Sequence, residues 1–174
     1  MNLTVCFVIS LISLVAAAAA VAITCLRGRT GSVKIPIVYH SAEIEKIRQI
    51  KGNDWIDLRA AEKVVLKAGE SAKISLGVSM KLPHGYEAHL QPRSSTFDNW
   101  GIVQTNSVGQ IDKAYGGTND IWKMPVLAVR DTVINVNDRI CQFRVMRVQP
   151  KVVLCETNEL DPHDRGGFGS TGSN

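Results

Sequence analysis

Short β-rich runs separated by turn residues follow one another along most of this chain. Gly, Pro, Asn and Asp mark the joins, as in Pro83-His84-Gly85 and Val136-Asn137-Asp138. Many short strands at this spacing predict an all-β sandwich or barrel rather than a fold with helices between the strands. The predicted strands cover 33–40, 62–66, 72–82, 86–91, 101–105, 122–130, 138–148 and 151–156.

Two local features qualify this pattern. Ser41 can cap a helix, and Ile44, Ile47 and Ile50 fall on one face of it, so a short helix is predicted over 41–50. Pro125 interrupts the run 122–130, and because proline cannot donate to a β ladder, we expect an edge strand or a bulge there.

The N-terminus is strongly apolar. Residues 3–26 carry no charged side chain, and 24 residues of helix are long enough to cross a hydrocarbon core of about 30 Å. Arg27, Arg29 and Lys34 follow, which by the positive-inside tendency predicts a membrane anchor with the following domain in the cytoplasm. Two alternatives stay open: a cleavable signal peptide, or a start near Val33 that would leave a soluble cytoplasmic protein.

Composition excludes several other classes. The chain has 174 residues, which suggests one folded domain, and its 20 basic residues fall to 18 against 16 acidic once Arg27 and Arg29 are set aside. A net charge of +2 without a clustered basic face does not predict nucleic-acid binding. The four cysteines lack C-x-x-C spacing and the four histidines are scattered, so no protein-built metal centre is expected. Cys141 alternates with Phe143 and Val145 and is predicted to be a small buried residue.

The segment Gly109-Gln110-Ile111-Asp112-Lys113-Ala114-Tyr115 has the composition of a hairpin with a carboxylate at its mouth and an aromatic ring three residues later. Backbone amides of such a turn can read the edge of a planar ligand. The carboxylate can accept a proton, and the tyrosine can stack beneath a ring.

Four further motifs accompany this segment in a fixed order. They are Asp57-Leu58-Arg59-Ala60, Pro92-Arg93-Ser94-Ser95, Asn137-Asp138-Arg139-Ile140-Cys141-Gln142 and Arg165-Gly166-Gly167-Phe168-Gly169-Ser170-Thr171-Gly172. Together the five motifs resemble those of the trimeric dUTP pyrophosphatases (dUTPases), a family related to the dCTP deaminases. The resemblance covers residues 33 to 172.

The resemblance implies a distorted jelly-roll or β-sandwich domain over 33–159, preceded by the hydrophobic segment and linker 1–32 and followed by a flexible Gly-rich arm over 160–174. It implies a homotrimer whose sites are shared between subunits. It also implies hydrolysis of dUTP to dUMP and pyrophosphate with Mg²⁺, which keeps uracil out of DNA and supplies the precursor of dTTP.

Roles at the reacting end follow from the resemblance residue by residue. Asp112 would activate water and bond the sugar 3′-hydroxyl, and Gln142 would contact the phosphate and the attacking water. Tyr115 would pack on the deoxyribose and exclude a 2′-hydroxyl. Asn106 would read the uracil edge together with the backbone around Gly109 and Ile111.

Roles at the phosphate end are implied in the same way. Arg93, Ser94 and Ser95 would bind the triphosphate, and Asp57 would act near the magnesium through water. In the arm, Phe168 would stack on uracil while backbone groups of Gly169, Ser170 and Thr171 meet the γ-phosphate. Arg165 lies two residues later than the arginine in the family's pattern, so its contact to the γ-phosphate is either kept by a shortened arm or lost.

Two rival functions are open at this point. A dCTP deaminase needs a catalytic glutamate after the Asp112 segment, and residues 116–129 contain no glutamate. A non-catalytic, nucleotide-sensing regulatory binder has no need of Asp112, whose presence therefore favours an enzyme.

Overall fold

The computed structural model describes residues 32–160, and within that range the regular elements are eleven short strands and one short helix. The elements, in chain order, are β1 (Ile37–Tyr39), β2 (Ile56–Leu58), β3 (Val64–Leu66), β4 (Ser71–Ser75), β5 (Val78–Met80), β6 (Tyr86–Pro92), α1 (Thr96–Trp100), β7 (Ile102–Gln104), β8 (Gly109–Ile111), β9 (Lys123–Ala128), β10 (Thr132–Ile134) and β11 (Cys141–Arg147).

The strands form two larger sheets and two ribbons, and every pairing is antiparallel. One sheet has the order β2-β11-β6-β8, the other has the order β4-β9-β7, and the ribbons pair β1 with β5 and β3 with β10. The prediction of an all-β chain from its short punctuated strands is confirmed at this level.

Each larger sheet buries one face in a single hydrophobic core. Leu58, Leu90 and Phe143 come from the four-stranded sheet, and Ile74 and Val126 come from the three-stranded sheet. Cys141 is fully buried among them, and burial raises the pKa of its thiol. The prediction of a small buried residue at 141 is therefore confirmed.

The predicted strand 72–82 is two strands, β4 and β5, with Gly77 between them. Gly77 has φ of +64°, a conformation that glycine adopts without steric cost. A Cβ at this position would lie 2.6 Å from the Cβ of Ala61 and 2.9 Å from Cδ1 of Ile44. The chain therefore turns at Gly77 and moves from one sheet to a ribbon.

The predicted helix over 41–50 is wrong, because the backbone of this segment bonds to distant side chains. The amide of Glu45 donates to Oδ1 of Asn137 at 2.8 Å, and Nδ2 of Asn137 donates to the carbonyl of Glu43 at 2.7 Å. The amide of Ile47 donates to the hydroxyl of Tyr39 at 2.9 Å. Ile44 is nevertheless buried, so the spacing of isoleucines in this segment indicated a buried side chain without indicating a helix.

Pro125 is not on an edge strand. It lies in β9, the middle strand of its sheet, opposite Lys73 of β4. The carbonyl of Pro125 accepts the amide of Thr105, one residue beyond the end of β7. The nitrogen and the carbonyl of a strand residue face the same neighbouring strand, so the nitrogen of Pro125 also faces the chain just beyond the end of β7. The absence of an N–H on Pro125 therefore removes no hydrogen bond between β9 and β7.

The prediction of a strand over 151–156 is also wrong, because this segment forms no strand in the single chain. The segment has no strand partner among residues 32–160, and Val152, Val153 and Leu154 are 59%, 69% and 92% exposed. Its β-rich sequence therefore lacks a surface to pair with in the described part of the molecule.

The membrane-anchored localisation is corrected. Within residues 32–160 no helix combines the length and apolar character needed to cross a membrane. The segment 3–26, for which a hydrophobic helix was predicted, lies outside the described residues.

Replacing Gly77 by alanine should destabilise the fold. Both the left-handed backbone and the close approach of Ala61 and Ile44 oppose a Cβ, so we expect the free energy of unfolding to fall by about 2–5 kcal/mol. Gly69→Ala is the matched control, because Gly69 has φ of +87° but open space around it, and it should lose only about 1 kcal/mol. Urea unfolding of both variants measures the difference, and equal losses would contradict the packing argument.

Candidate active site

Asp57 joins two arginines that come from different parts of the chain. Its Oδ1 accepts Nε of Arg93 at 2.8 Å, and its Oδ2 accepts Nη1 of Arg139 at 3.1 Å. The carboxylate is 19% exposed, and the two arginine side chains are 25% and 45% exposed. We call Asp57, Arg93 and Arg139 the arginine cluster. It places two guanidinium groups at a partly open surface, the arrangement that binds phosphate groups well.

Strand pairing brings Gln142 to this cluster. In the four-stranded sheet Gln142 of β11 lies opposite Asp57 on one side and Gln91 on the other. Its Nε2 donates to the carbonyl of Pro92 at 3.2 Å. A cavity of about 460 Å³, which we call the cluster cavity, is lined by Gln142, Ser94 and the arginine cluster, with residues of the segment 50–55.

Thr96, at the start of α1, holds this arrangement together. Its hydroxyl donates to the carbonyl of Ile140 at 2.9 Å and accepts the amide of Arg93 at 2.8 Å, while its own amide donates to the carbonyl of Arg93. The side chain is fully buried. These bonds fix the turn after β6 against the segment that enters β11. Ser95 lies in that turn, half-buried.

A second cavity, of about 430 Å³, contains the other predicted ligand-binding residues. We call it the loop cavity, because it lies beside the 105–108 loop that connects β7 to β8. Predicted residues in its lining are Asn106, Gly109, Ile111 and Tyr115. Trp122, Lys73, Lys123 and Leu90 are also in the lining. The mixture of apolar and polar groups suits a planar heterocycle with a sugar attached.

Asp112 lies between two lining residues of the loop cavity. Its Oδ1 accepts the amides of Ala114 at 2.7 Å and Tyr115 at 3.2 Å, so the carboxylate caps the turn that follows β8. The hydroxyl of Tyr115 donates to the carbonyl of Ile121 at 3.1 Å, which fixes the ring. The predicted hairpin at this position is wrong in detail: Gly109–Ile111 is a strand paired with β6, and the turn starts at Asp112.

Asp112 and Ser94 lie toward opposite ends of β6. Ile111, next to Asp112, pairs with Ala88 near the start of that strand, whereas Ser94 follows its end. The strand continues for four residues from Ala88 to Pro92, about 13 Å at roughly 3.3 Å per residue, and Ser94 lies two residues farther along, in the turn. Ser94 lines the cluster cavity, whereas Asp112 directly follows Ile111, which lines the loop cavity.

Four residues with evident structural importance were absent from the predicted site: Arg139, Thr96, Trp122 and Gln104. Arg139 was visible only as part of a motif, and nothing in the sequence showed that it meets Asp57. Trp122 is buried and packs edge-on against Phe143, with ring centroids 5.3 Å apart. The predicted arm residues, Arg165, Phe168, Gly169, Ser170 and Thr171, lie outside the described residues.

Paired guanidiniums in one cavity and a polar-edged apolar cavity with an adjacent carboxylate are features of a β-sheet protein that binds a phosphorylated heterocycle. The comparisons give the family. A family model, dUTPase, matches residues 48–172. The chain belongs to the dUTPase family.

Relatives of known name agree with this assignment. The SPbeta prophage-derived deoxyuridine 5′-triphosphate nucleotidohydrolase YosS of Bacillus subtilis (strain 168) is 52% identical over 141 residues, covering 81% of this chain and 99% of the relative. The deoxyuridine 5′-triphosphate nucleotidohydrolase of Neorickettsia sennetsu is 34% identical over 145 residues, covering 80% of this chain and 96% of the relative.

Solved structures show the same fold at lower identity. A Staphylococcus bacteriophage 80alpha dUTPase with dUpNHpp matches with a TM-score of 0.66 at 20% identity, covering 82% of this chain and 100% of that chain. A dUTPase from phage phi11 of S. aureus, described with a structural Mg(II) ion, matches with a TM-score of 0.63 at 20% identity, covering 73% and 99%.

Replacing Thr96 by valine should loosen the cluster cavity. Valine keeps the shape but leaves the carbonyl of Ile140 and the amide of Arg93 without their buried partner, so the free energy of unfolding should fall by about 1–3 kcal/mol. Thr132→Val, at a half-buried position in β10, is the control and should change stability by less than about 0.5 kcal/mol. Thermal unfolding by calorimetry compares them, and a Thr96→Val variant as stable as the parent would refute the bracing role.

Proposed function

We propose that this chain hydrolyses dUTP to dUMP and pyrophosphate, which limits uracil in DNA and supplies the precursor of dTTP. The observation that carries the proposal is Asp112, held by two backbone amides beside a cavity of about 430 Å³ whose lining is partly polar and partly apolar. Dehydrogenation, acyl transfer or deamination would need other groups at this position, whereas water activation needs only a fixed carboxylate.

The reaction is an attack of water on the α-phosphorus. One carboxylate oxygen of Asp112 is fixed by its turn, and the other would accept a proton from water. The water oxygen bonds the α-phosphorus while the bond from that phosphorus to the α,β-bridging oxygen breaks, so the electron pair leaves with pyrophosphate. A second hydrogen bond, from Asp112 to the sugar 3′-hydroxyl, would orient the nucleotide.

The arginine cluster and its neighbours form the phosphate end of the proposal. Arg93, Arg139 and Ser94 line the cluster cavity and would supply guanidinium, hydroxyl and amide donors for phosphate oxygens. Ser95, the next residue in the turn, would add its own donors. Gln142, held by the carbonyl of Pro92, would bond the α-phosphate and orient the water. Charge that develops on the leaving pyrophosphate is stabilised by these donors.

Magnesium fits this end as a partner of the triphosphate. Both carboxylate oxygens of Asp57 are bonded to arginines, so Asp57 suits an indirect role through water and not direct ligation. Among residues 32–160 no group of three or more His, Cys, Asp or Glu side chains is arranged to hold a metal. When bound, the ion supplies charge neutralisation between phosphate oxygens.

The loop cavity forms the nucleoside end. Tyr115 would pack on the deoxyribose, with its ring fixed through the carbonyl of Ile121, and so leave no space for a 2′-hydroxyl. Asn106 and the backbone of Gly109 and Ile111 would read the uracil edge. A mismatched base would leave these buried polar groups unpaired, which costs about 1–3 kcal/mol each.

A homotrimer with shared sites is supported by the separation of Asp112 and Ser94 along β6. In the proposed site Asp112 would approach the α-phosphorus while Ser94 bonds the adjacent bridging oxygen, whereas in one chain about 13 Å of β6 separates the strand position beside Asp112 from the turn that contains Ser94. The exposed β-rich segment 151–156 offers a second reason, because a neighbouring subunit could supply the sheet it lacks. In this arrangement the distorted jelly-roll domain 33–159 provides both halves of a site and its neighbours complete them.

The arm 160–174 would close the site from another subunit. Phe168 would cover the uracil, and Gly169, Ser170 and Thr171 would meet the γ-phosphate with Arg165 beside them. Support comes from the extent of the family match, which runs to residue 172 and so includes this Gly-rich sequence.

Asp112→Asn should abolish turnover without abolishing binding. The amide keeps an oxygen for the turn but cannot take the proton, so kcat should fall about 100- to 10,000-fold. Pyrophosphate release from dUTP with Mg²⁺ measures kcat, and calorimetry with the α,β-imido analogue of dUTP measures affinity. Parent-like turnover would refute the role of Asp112 as a base, and loss of folding would make it structural.

Mixing two inactive variants tests the shared sites. Asp112→Asn and Ser94→Ala chains, unfolded together and refolded at equal amounts, should regain activity, because some sites then combine an intact Asp112 with an intact Ser94. If subunits assort randomly and two different chains supply the residues, roughly a quarter of the sites are complete. Activity no greater than the sum of the separately refolded variants would contradict a site built between subunits.

A further inference from the structure

Gln104, the last residue of β7, is a buried polar side chain beneath the loop cavity. It is 6% exposed and comes two residues before Asn106. Gly109 closes over it, since a Cβ on Gly109 would lie 3.5 Å from Nε2 of Gln104 and 3.2 Å from the Cβ of Leu90. The side chain therefore has a fixed position under the loop.

Both hydrogens of the Gln104 amide are used. Nε2 donates to the backbone carbonyl of Leu90 at 3.1 Å and to Oδ1 of Asn106 at 2.8 Å. An amide NH₂ group has two donors and no acceptor, so these bonds satisfy it completely. Oε1 of Gln104 is buried with no hydrogen-bond partner among the described residues, so the amide is held by its nitrogen alone.

The backbone carbonyl of Leu90 determines which way the Gln104 amide is oriented, and therefore which group of Gln104 faces Asn106. A backbone carbonyl only accepts, so the group that faces Leu90 must be the NH₂ of Gln104. The reversed amide would place Oε1 against the carbonyl oxygen of Leu90, where two acceptors repel. With NH₂ fixed, Asn106 must turn its oxygen inward toward Gln104.

The consequence falls on the other end of the Asn106 amide. Asn106 is exposed and lines the loop cavity, and with Oδ1 engaged its remaining polar group is the NH₂ donor. A free asparagine can present either its oxygen or its nitrogen to a ligand. With the oxygen facing Gln104, the NH₂ group is the end of the Asn106 amide left to face a ligand, and it pairs with an acceptor atom.

We infer that Gln104 is a positioning residue that selects uracil over cytosine, by holding Asn106 with its amide nitrogen toward the O4 of the base. Uracil has a carbonyl oxygen at position 4, which accepts this bond, whereas cytosine has an amino group there and meets donor with donor. The inference rests on the proposed function. It assigns part of the base specificity of the enzyme to Gln104, which acts through Asn106 and not by touching the substrate.

The backbone of the next residue, Ser107, also indicates a constrained loop. Ser107 adopts φ of +55°, a left-handed conformation that costs a non-glycine residue free energy and occurs mainly where surrounding structure imposes it. The loop is therefore held in one shape on both sides of the Asn106 amide.

The first test is Gln104→Met, which keeps the length of the side chain and removes its donors. Binding of the α,β-imido analogues of dUTP and dCTP is measured by calorimetry, and pyrophosphate release from dUTP and dCTP gives kcat and KM. We expect affinity for the dUTP analogue to fall roughly 10- to 100-fold, mainly as a rise in KM, while dCTP changes less, so that the preference for dUTP narrows. A fall by the same factor for both nucleotides, or no change, would overturn the inference.

A second variant keeps the test decisive if the first one fails to fold. Asn106→Asp leaves Gln104 in place and presents an oxygen to the cavity in place of the NH₂ group, so binding of the dCTP analogue should rise relative to that of the dUTP analogue. An unchanged ratio would overturn the inference. Gln149→Met, at an exposed glutamine outside both cavities, is the control and should keep the parent ratio.

These outcomes are separable from failure of the proposed function. A parent protein that binds the dUTP analogue but releases no pyrophosphate from dUTP would overturn hydrolysis and leave the binding ratios to judge Gln104. A parent that hydrolyses dUTP, with variants that keep its full discrimination, would overturn the role of Gln104 alone.

Discussion

The ion pairs of Asp57 with two arginines are the interaction on which the rest of the phosphate end depends. Arg93 and Arg139 belong to segments far apart in sequence, and two cations at one surface repel unless an anion lies between them. Asp57 supplies that anion from β2, at the level of Gln142 in the sheet. Since the carboxylate is mostly shielded from solvent, its attraction is less screened than that of an ordinary surface pair. Three chain segments are thereby fixed at one edge before any ligand arrives.

Much of this site could be predicted from the sequence, because its residues occur in short motifs whose order is distinctive. What the motifs could not show is distance. Nothing local in the sequence places Arg139 against Asp57, and nothing predicts that the Asp112 and Ser94 motifs lie toward opposite ends of β6. The helix predicted over 41–50 failed for the related reason that Asn137, a residue remote in sequence, bonds its backbone. Periodicity reports which side chains are buried, and tertiary hydrogen bonds decide the backbone conformation.

Proline in β9 illustrates the same limit in a strand. Proline is usually confined to edge strands because it has no N–H to donate to a neighbouring strand. A middle strand can also contain proline where the neighbouring strand that would accept this bond has already ended. β7 stops at Gln104, so Pro125 faces the loop and leaves the ladder intact. The end of β7 therefore does two things: it allows a proline into the middle of the sheet, and it starts the loop that carries Asn106.

The acceptor that orients Gln104 is the backbone carbonyl of Leu90, so substitutions at position 90 do not remove it. A side chain that sets the polarity of a hydrogen-bond relay can be exchanged by a single mutation, but a main-chain carbonyl is present whatever residue occupies position 90. Substitutions there can change packing beneath Gly109, yet none of them turns an acceptor into a donor. As long as position 104 carries an amide side chain, the direction of the hydrogen bonds through Gln104 is therefore fixed by the strand itself, whereas substitutions in the lining can change the shape of the cavity.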